Sequence, residues 1–243
     1  MNLLLVNQYY PPDTAPTGQY LHQLARTLVQ RGHAVTVLCS RRAYNGPEVY
    51  APVQDLDGVR VERVRALGFG RKVALGKALD YVSFYVALAL RLLARRQRTD
   101  VMVALTTPPY LGLLVRWAAR LKGAAHAHWI MDVYPDVLAA HGELPSTSRM
   151  YRLLAWLTRV ELSDSPLVVC LGDEMRDRIL RNFGTGAGLP AVESLPLWSD
   201  PAMVPWSGGE PPPFRREQGW SADDLVLMYS GNMGRGHRFT EFL

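Results

Sequence analysis

A chain of 243 residues, 48% hydrophobic and 20% charged, has ample material for a large buried core and is neither a disordered nor a fibrous sequence. No uncharged apolar run reaches the roughly 18 residues that a bilayer span needs; the longest candidate, residues 101–115, is interrupted by Pro108-Pro109. The net charge of +5 is unevenly placed. Between residues 59 and 98 stand Arg60, Arg63, Arg65, Arg71, Lys72, Lys77, Arg91, Arg95, Arg96 and Arg98 against only Glu62 and Asp80, a cluster that points to a polyanion or an anionic membrane face.

In chain order, apolar runs of strand length recur at 3–7, 35–39, 59–64, 101–105, 125–130, 167–170, 192–195 and 225–229. Most are near-continuous rather than alternating, as in strands covered by helices on both faces. Helical patterns lie between them at 19–30, 110–122, 149–161 and 173–182, the first closed by Arg31-Gly32. Strand and helix alternate throughout, which predicts an α/β fold with a doubly wound, Rossmann-like parallel sheet. From 199 to 219 the Pro- and Gly-rich texture of a linker takes over, dividing the chain into a domain at 1–198, a linker at 199–220 and the opening of a second α/β domain at 221–243. No repeat of solenoid period is present.

The N-terminus has no basic segment before its apolar stretch, so the expected compartment is the cytosol. Cys39 and Cys170 each end a predicted strand and read as small buried hydrophobes. His126 and His128 alternate on one strand, but without a third ligand nearby no metal is expected. Nucleic acid is disfavoured, because no RNA-binding aromatic motif or helix-turn-helix pattern accompanies the bases.

Four stretches carry possible chemistry. The long turn from Gln8 to Gly18 leaves the carboxyl end of the first strand, where Thr17, Gly18 and the following helix N-terminus suit a phosphate; an ordinary Pro-rich connection with Thr17 as helix cap is the alternative. Residues 73–98 place an uncharged section, 81–90, between Lys77 and Arg91. Such a helix suits a membrane surface, with Arg71, Lys72, Lys77, Arg91, Arg95 and Arg96 meeting lipid phosphates, or else the outer layer of the sheet. At the end of the fifth predicted strand, Asp132, Tyr134 and Asp136 could accept protons or hydroxyls, Asp132 first among them; acids beside proline also form turns. Near the end, Gly231, Gly234, Arg235 and Gly236 make a basic glycine loop fit for an anion.

In sequence these stretches resemble retaining GT-B glycosyltransferases of family 4, of the bacterial group that builds O-antigen, capsule and colanic-acid-like polysaccharides. The likeness covers Asn7-Gln8-Tyr9-Tyr10-Pro11-Pro12-Asp13 with Thr17-Gly18-Gln19, Arg31-Gly32-His33, Cys39-Ser40-Arg41 and Tyr44-Asn45-Gly46. It continues through residues 63–71, Ala104-Leu105-Thr106-Thr107-Pro108-Pro109, Asp132-Val133-Tyr134-Pro135-Asp136 and Tyr229-Ser230-Gly231-Asn232-Met233-Gly234-Arg235. The resemblance implies an N-terminal acceptor domain followed by a truncated nucleotide-sugar domain. It further implies metal-free transfer without a cofactor from a nucleotide-sugar to a polyprenyl-diphosphate-linked acceptor, by a cytoplasmic protein peripheral to the inner membrane face.

On this resemblance Thr17, Gly18, Gly231 and Arg235 would meet the donor diphosphate, Tyr10, Tyr134 and Asp136 the acceptor, and Asp132 the reacting hydroxyl. The sequence departs from the family at Met131, where Gln or His is usual, at Leu197 in place of Asn, and at Arg238 in place of an acid. The family's donor-binding glutamate pair is missing from these 243 residues, so the segment alone is expected to be inactive. Two other readings of the same features are a nucleotide-sugar epimerase of GT-B-like shape and a non-enzymatic membrane- or polyanion-binding module.

Overall fold

The computed structural model describes residues 1–68, 74–184, 191–199, 210, 212–221, 223–229 and 240. In chain order the elements are β1 (Asn2–Val6), α1 (Pro16–Gln30), β2 (Ala34–Ser40), β3 (Val53–Leu56), β4 (Val59–Val64), α2 (Ala74–Ala94), β5 (Val101–Leu105) and α3 (Leu111–Lys122). They are followed by β6 (Ala125–Trp129), α4 (Asp136–Ala140), α5 (Arg149–Leu162), β7 (Leu167–Cys170), α6 (Asp173–Phe183), β8 (Ala191–Ser194) and α7 (Pro213–Glu217). Among the described residues the strands form one sheet in the order β3-β4-β2-β1-β5-β6-β7-β8. Every pairing is parallel except β3 with β4.

The doubly wound parallel sheet expected from the sequence is therefore present. Seven of the expected strands are found, with β3 added at one edge. β3 escapes notice because Val53-Gln54-Asp55-Leu56 is short and half exposed. Its signal was the Asp57-Gly58 pair that follows, where both residues take positive φ, as a tight hairpin turn requires.

Local chemistry sets the element ends. Pro16 opens α1, where its missing N–H costs nothing, and Gly32 at φ 84 closes it. Gly123, also left-handed, ends α3, with its N–H and that of Ala124 returning to Arg120 and Ala119 carbonyls. Alternation along β1 sends Leu4 and Val6 to one face of the sheet. There they join Leu38, Phe84, Leu88 and Leu92 with Leu111 and Val115, so α2 and α3 seal the sheet's centre. A second cluster of Ile130, Val168, Ile179 and Phe183 seats α5 and α6 beside β7. α1 packs over β2 and β4 through Leu21 and Ala25.

The chain divides into two compact units, 1–197 and 198–243. In the second, Phe214 meets Trp220 edge-on at 5.7 Å, and Arg215 donates to the Ser221 and Asp224 carbonyls. The strand expected at 225–229 does not form. Leu225, Leu227 and Met228 are exposed, and an apolar run becomes a strand only beside a partner, which the described residues of this unit do not offer. The glycine loop with Gly231 and Arg235 lies outside the described residues.

Candidate functional site

The order in which strands are added reverses between β1 and β5, and at such a point the two outgoing loops diverge and leave a crevice at the carboxyl ends of the strands. The loop after β1 is held there by a buried carboxylate. Asp13 is 2% exposed and accepts from the backbone N–H of Ala15 at 2.8 Å and of Tyr44 at 2.5 Å. One side chain thereby ties the start of α1 to the 41–50 segment. Arg63, also buried, reaches from β4 to the Pro11 carbonyl at 2.7 Å and lies over the Tyr50 ring at 5.5 Å. Tyr9 meets Tyr44 edge-on at 5.2 Å.

These ties shape a cavity of about 330 Å³. Its walls include Gln8 and Tyr9 from the first loop, Ser40 at the end of β2, Arg42 and Tyr44 beyond it, and Asp80 and Tyr81 of α2. Gln8 is 6% exposed, and its Oε1 has no hydrogen-bond partner among the described residues. The same is true of Oδ1 of Asn7, whose amide nitrogen donates to the Tyr9 carbonyl at 2.8 Å and to Thr17 Oγ1 at 3.3 Å. Orphaned buried carbonyls of this kind are costly to the fold.

Across the switch point, the loop after β6 carries the other expected residues. Asp132 is exposed at the edge, and desolvation by the walls around it, opposed by His141, raises its carboxyl pKa. Tyr134 is half-buried, its ring 6.2 Å from that of Tyr110, and its hydroxyl pKa is pushed up to about 12 by burial, then by Asp132. Both line a small cavity of about 20 Å³ with Thr158 and Glu161. Glu161 accepts from the Gly112 N–H at 2.8 Å, and desolvation outweighs that bond to bring its carboxyl to about 7. His128 is buried beside it and His126, rings 5.5 Å apart, and burial pushes its pKa down to about 3. It is a neutral core residue. No group of three metal-ligating side chains occurs among the described residues.

Several expected site residues serve the fold instead. Tyr10 is 1% exposed, with its hydroxyl 2.9 Å from His22 Nδ1, so it cannot face an acceptor. Asp136 is buried and fully engaged, accepting from Tyr151, from Arg178 Nε at 2.5 Å and from Asn182 at 2.9 Å; it fastens α4 to α5 and α6. Gly18 is required by packing, because a Cβ there would lie 2.9 Å from the Tyr9 carbonyl oxygen. Thr17 lies within the first turn of α1 and does not cap it; Ala15 holds the N-cap position.

The basic cluster also separates. Arg95 is buried, donating to Glu62 and to Thr36 Oγ1 at 3.2 Å each, and Arg91 donates to Glu62 at 2.7 Å. Burial opposes ionisation of Glu62, but hydrogen bonds from Arg60 and Arg91 and the charge of Arg95 outweigh it and hold the carboxyl below its ordinary range. Arg96 is exposed just beyond α2. Arg71 and Lys72 lie outside the described residues, and of Lys77 only the backbone in α2 is described. Asp13, Gln8 and Arg63 all stand inside the motifs quoted above, yet nothing in the sequence marks their roles, because buried polar roles leave no periodic mark.

Comparison with known proteins supplies the family. Among solved structures, the fold is similar to a sucrose-phosphate synthase from Thermosynechococcus elongatus at TM-score 0.61 and 15% identity, over 92% of this chain and 53% of that one. A second structure of sucrose-phosphate synthase from the same organism matches at TM-score 0.51 and 13% identity, over 80% and 89% of the two chains. The chain thus spans about half the length of the first of these. No curated protein matches. The Glycosyl transferase 4-like domain family matches residues 17–193, most of the first unit, and the chain belongs to that family.

Proposed function

We propose that the chain supplies the acceptor-side domain of a glycosyltransferase that moves a sugar from a nucleotide-sugar to a lipid-linked saccharide on the way to a bacterial surface polysaccharide. The observation that carries this reading is the cavity at the sheet's carboxyl edge, walled by Gln8, Ser40 and Asp80, in a Glycosyl transferase 4-like domain. Its mixed lining, with polar groups set among apolar walls such as Pro47 and Leu67, fits a hydroxylated ligand of sugar size. Asp132 is the proposed proton acceptor for the attacking hydroxyl: it is exposed at the crevice, and its raised pKa makes it a better base than an ordinary surface carboxylate. The charge that develops on a departing donor diphosphate is proposed to be stabilised by positive groups without a metal.

A membrane-bound acceptor requires a surface that meets lipid. Among the described residues no helix is long and apolar enough to cross a membrane. In support of surface docking, α2 exposes Val82, Val86, Leu90 and Leu93, and its neighbour α3 exposes Trp117. α5, on the other side of α3, exposes Trp156. The three helices together carry eight bases against two acids, one of which, Glu161, is turned inward to Gly112; of the bases, Arg91 pairs with Glu62, and Arg116 and Arg120 with Asp164. An apolar face rimmed with positive charge suits the cytoplasmic face of an anionic bilayer.

The test uses the chain as its gene encodes it, with whatever follows residue 243. Labelled UDP-, GDP- and dTDP-sugars are offered with lipid-linked saccharides in the presence of EDTA. Label in the lipid fraction that falls by about a hundredfold or more in Asp132→Asn supports the reading. No transfer from any donor to any lipid acceptor sinks it.

A further inference from the structure

The cavity described above opens beside a second groove of about 370 Å³, lined by Arg41, Arg42, Val49, Arg65 and Ala66. Arg42 and Ala66 belong to both, so the two spaces adjoin along the edge where β2 and β4 end. The geometry points to a phosphate seat formed by Arg41, Arg42 and Arg65, which takes the phosphate of a phosphorylated sugar whose hydroxylated body enters the neighbouring cavity toward Gln8. This deepens the acceptor reading, on which it rests, by giving the acceptor a chemistry.

Charge is the first ground. Arg60, Arg91 and Arg95 share Glu62, Arg98 pairs with Asp100, and Arg116 and Arg120 share Asp164. Arg41, Arg42 and Arg65 make no ion pair among the described residues. Three guanidinium groups without a carboxylate along one groove repel one another, and an anion removes that cost.

Position is the second. Arg41 is anchored by its Nε donating to the Tyr50 carbonyl at 2.8 Å, which leaves its terminal nitrogens available. The Arg42 backbone N–H donates to Ser40 Oγ at 3.0 Å, and Arg42 bridges to Val49, so both arginines stand on a pinned turn. The Arg42 guanidinium lies close against Gly68, where a Cβ would be 2.5 Å from Cζ. Pre-placed forks such as Arg41 and Arg42 bind phosphate oxygens bidentately, and with the exposed Arg65 on the same groove they match a multiply charged phosphate better than a single carboxylate.

The third ground is the neighbouring cavity itself. Its walls carry Ser40, Tyr44 and Asp80, a set that offers acceptors and donors to hydroxyl groups. Anion at the mouth and hydroxyls within describe one ligand, a sugar phosphate or the first sugar of a diphosphate-linked chain.

The 243-residue chain is titrated calorimetrically with glucose 1-phosphate, inorganic pyrophosphate, glucuronate and glucose at low salt, and pyrophosphate is then displaced with phosphatidylglycerol or phosphatidylcholine vesicles. Expected is binding of both phosphates, with Arg42→Gln and Arg65→Gln each weakening it about tenfold or more, as loss of a charge-assisted hydrogen bond implies. Arg42→Lys should weaken it less, and Arg98→Gln not at all. Displacement by phosphatidylglycerol alone assigns the phosphate to a lipid; no displacement assigns it to a soluble sugar phosphate, and either result keeps the seat. Phosphate binding that ignores Arg42→Gln and Arg65→Gln, its absence, or a preference for glucuronate overturns the seat. Sugar transfer indifferent to both substitutions also overturns it and leaves the transferase reading intact, whereas arginine-dependent binding without transfer does the reverse.

Discussion

Glu62 shows how a single carboxylate can decide the fate of a charge cluster. It is 2% exposed and neutralises Arg95, itself buried, while Arg60 and Arg91 complete the network from the rim. Glu62→Gln keeps the shape but leaves the Arg95 guanidinium buried without a counter-charge, which should lower unfolding stability by about 3–5 kcal/mol in urea titrations. Replacing both members with apolar residues, Glu62→Leu with Arg95→Met, should recover most of the loss. Glu161 behaves in the opposite sense. Its folded pKa of about 7 lies above the ordinary 4.5, so between those values the folded chain holds a proton the unfolded chain has released, and stability falls as pH rises through that window. The loss levels off above about pH 7 and is at most about 3 kcal/mol. Glu161→Gln stays neutral, and thermal melts at pH 5 and pH 8 should show a smaller decline than in the parent chain. Neither role was legible beforehand: in sequence Glu62 is one acid among many bases, and Glu161 one polar position on an amphipathic helix.

At the scale of elements, hydrophobic pattern was enough for most of the architecture. The runs at 3–7 and 101–105 could become nothing but central strands, and β1 and β5 lie side by side. Pattern failed where length and partner decide, as in short, half-exposed β3 and in 225–229, which is apolar but unpaired. The loops were harder still. Tyr10 and Asp136 were read as ligand contacts because aromatic and acidic residues at strand ends often are, yet tertiary partners claimed both. Gly18 was expected to make room for a ligand; it makes room for the Tyr9 carbonyl, so Gly18→Ala should shift the first loop and cost about 1–3 kcal/mol in denaturant unfolding. The exposed stripe of α2 offers a cleaner functional test, because Val86 and Leu90 are more than half exposed. Val86→Asp with Leu90→Asp should leave the melting temperature within a few degrees, since surface changes rarely exceed about 0.5 kcal/mol. Sedimentation with phosphatidylglycerol vesicles should drop about tenfold or more, because two carboxylates are set against lipid phosphates. Unchanged sedimentation would remove α2 from the proposed membrane face.

For the whole molecule, the decisive fact is that among the described residues the last strand of the sheet ends at residue 194. All eight strands, both hydrophobic clusters and the Asp13, Glu62 and Asp136 networks lie within residues 1–197. Residues 223–229, by contrast, form no helix or strand, and Leu225, Leu227 and Met228 are exposed. Protease susceptibility follows local opening, which is easiest where backbone hydrogen bonds and buried apolar contacts are fewest. Chymotrypsin, which cleaves after large apolar side chains, should therefore cut first within 225–229 and then stop at a resistant product that retains residues 1–197. The product should unfold in one cooperative transition at the melting temperature of the parent chain, because no strand of its sheet has been lost. It should also keep the pyrophosphate affinity of the parent, since Arg41, Arg42 and Arg65 all stand on the first unit. Mass spectrometry of the fragments and calorimetry of the product check these outcomes. A first cut inside the sheet, or a fall in melting temperature on trimming, would mean that the first unit draws stability from residues beyond 197.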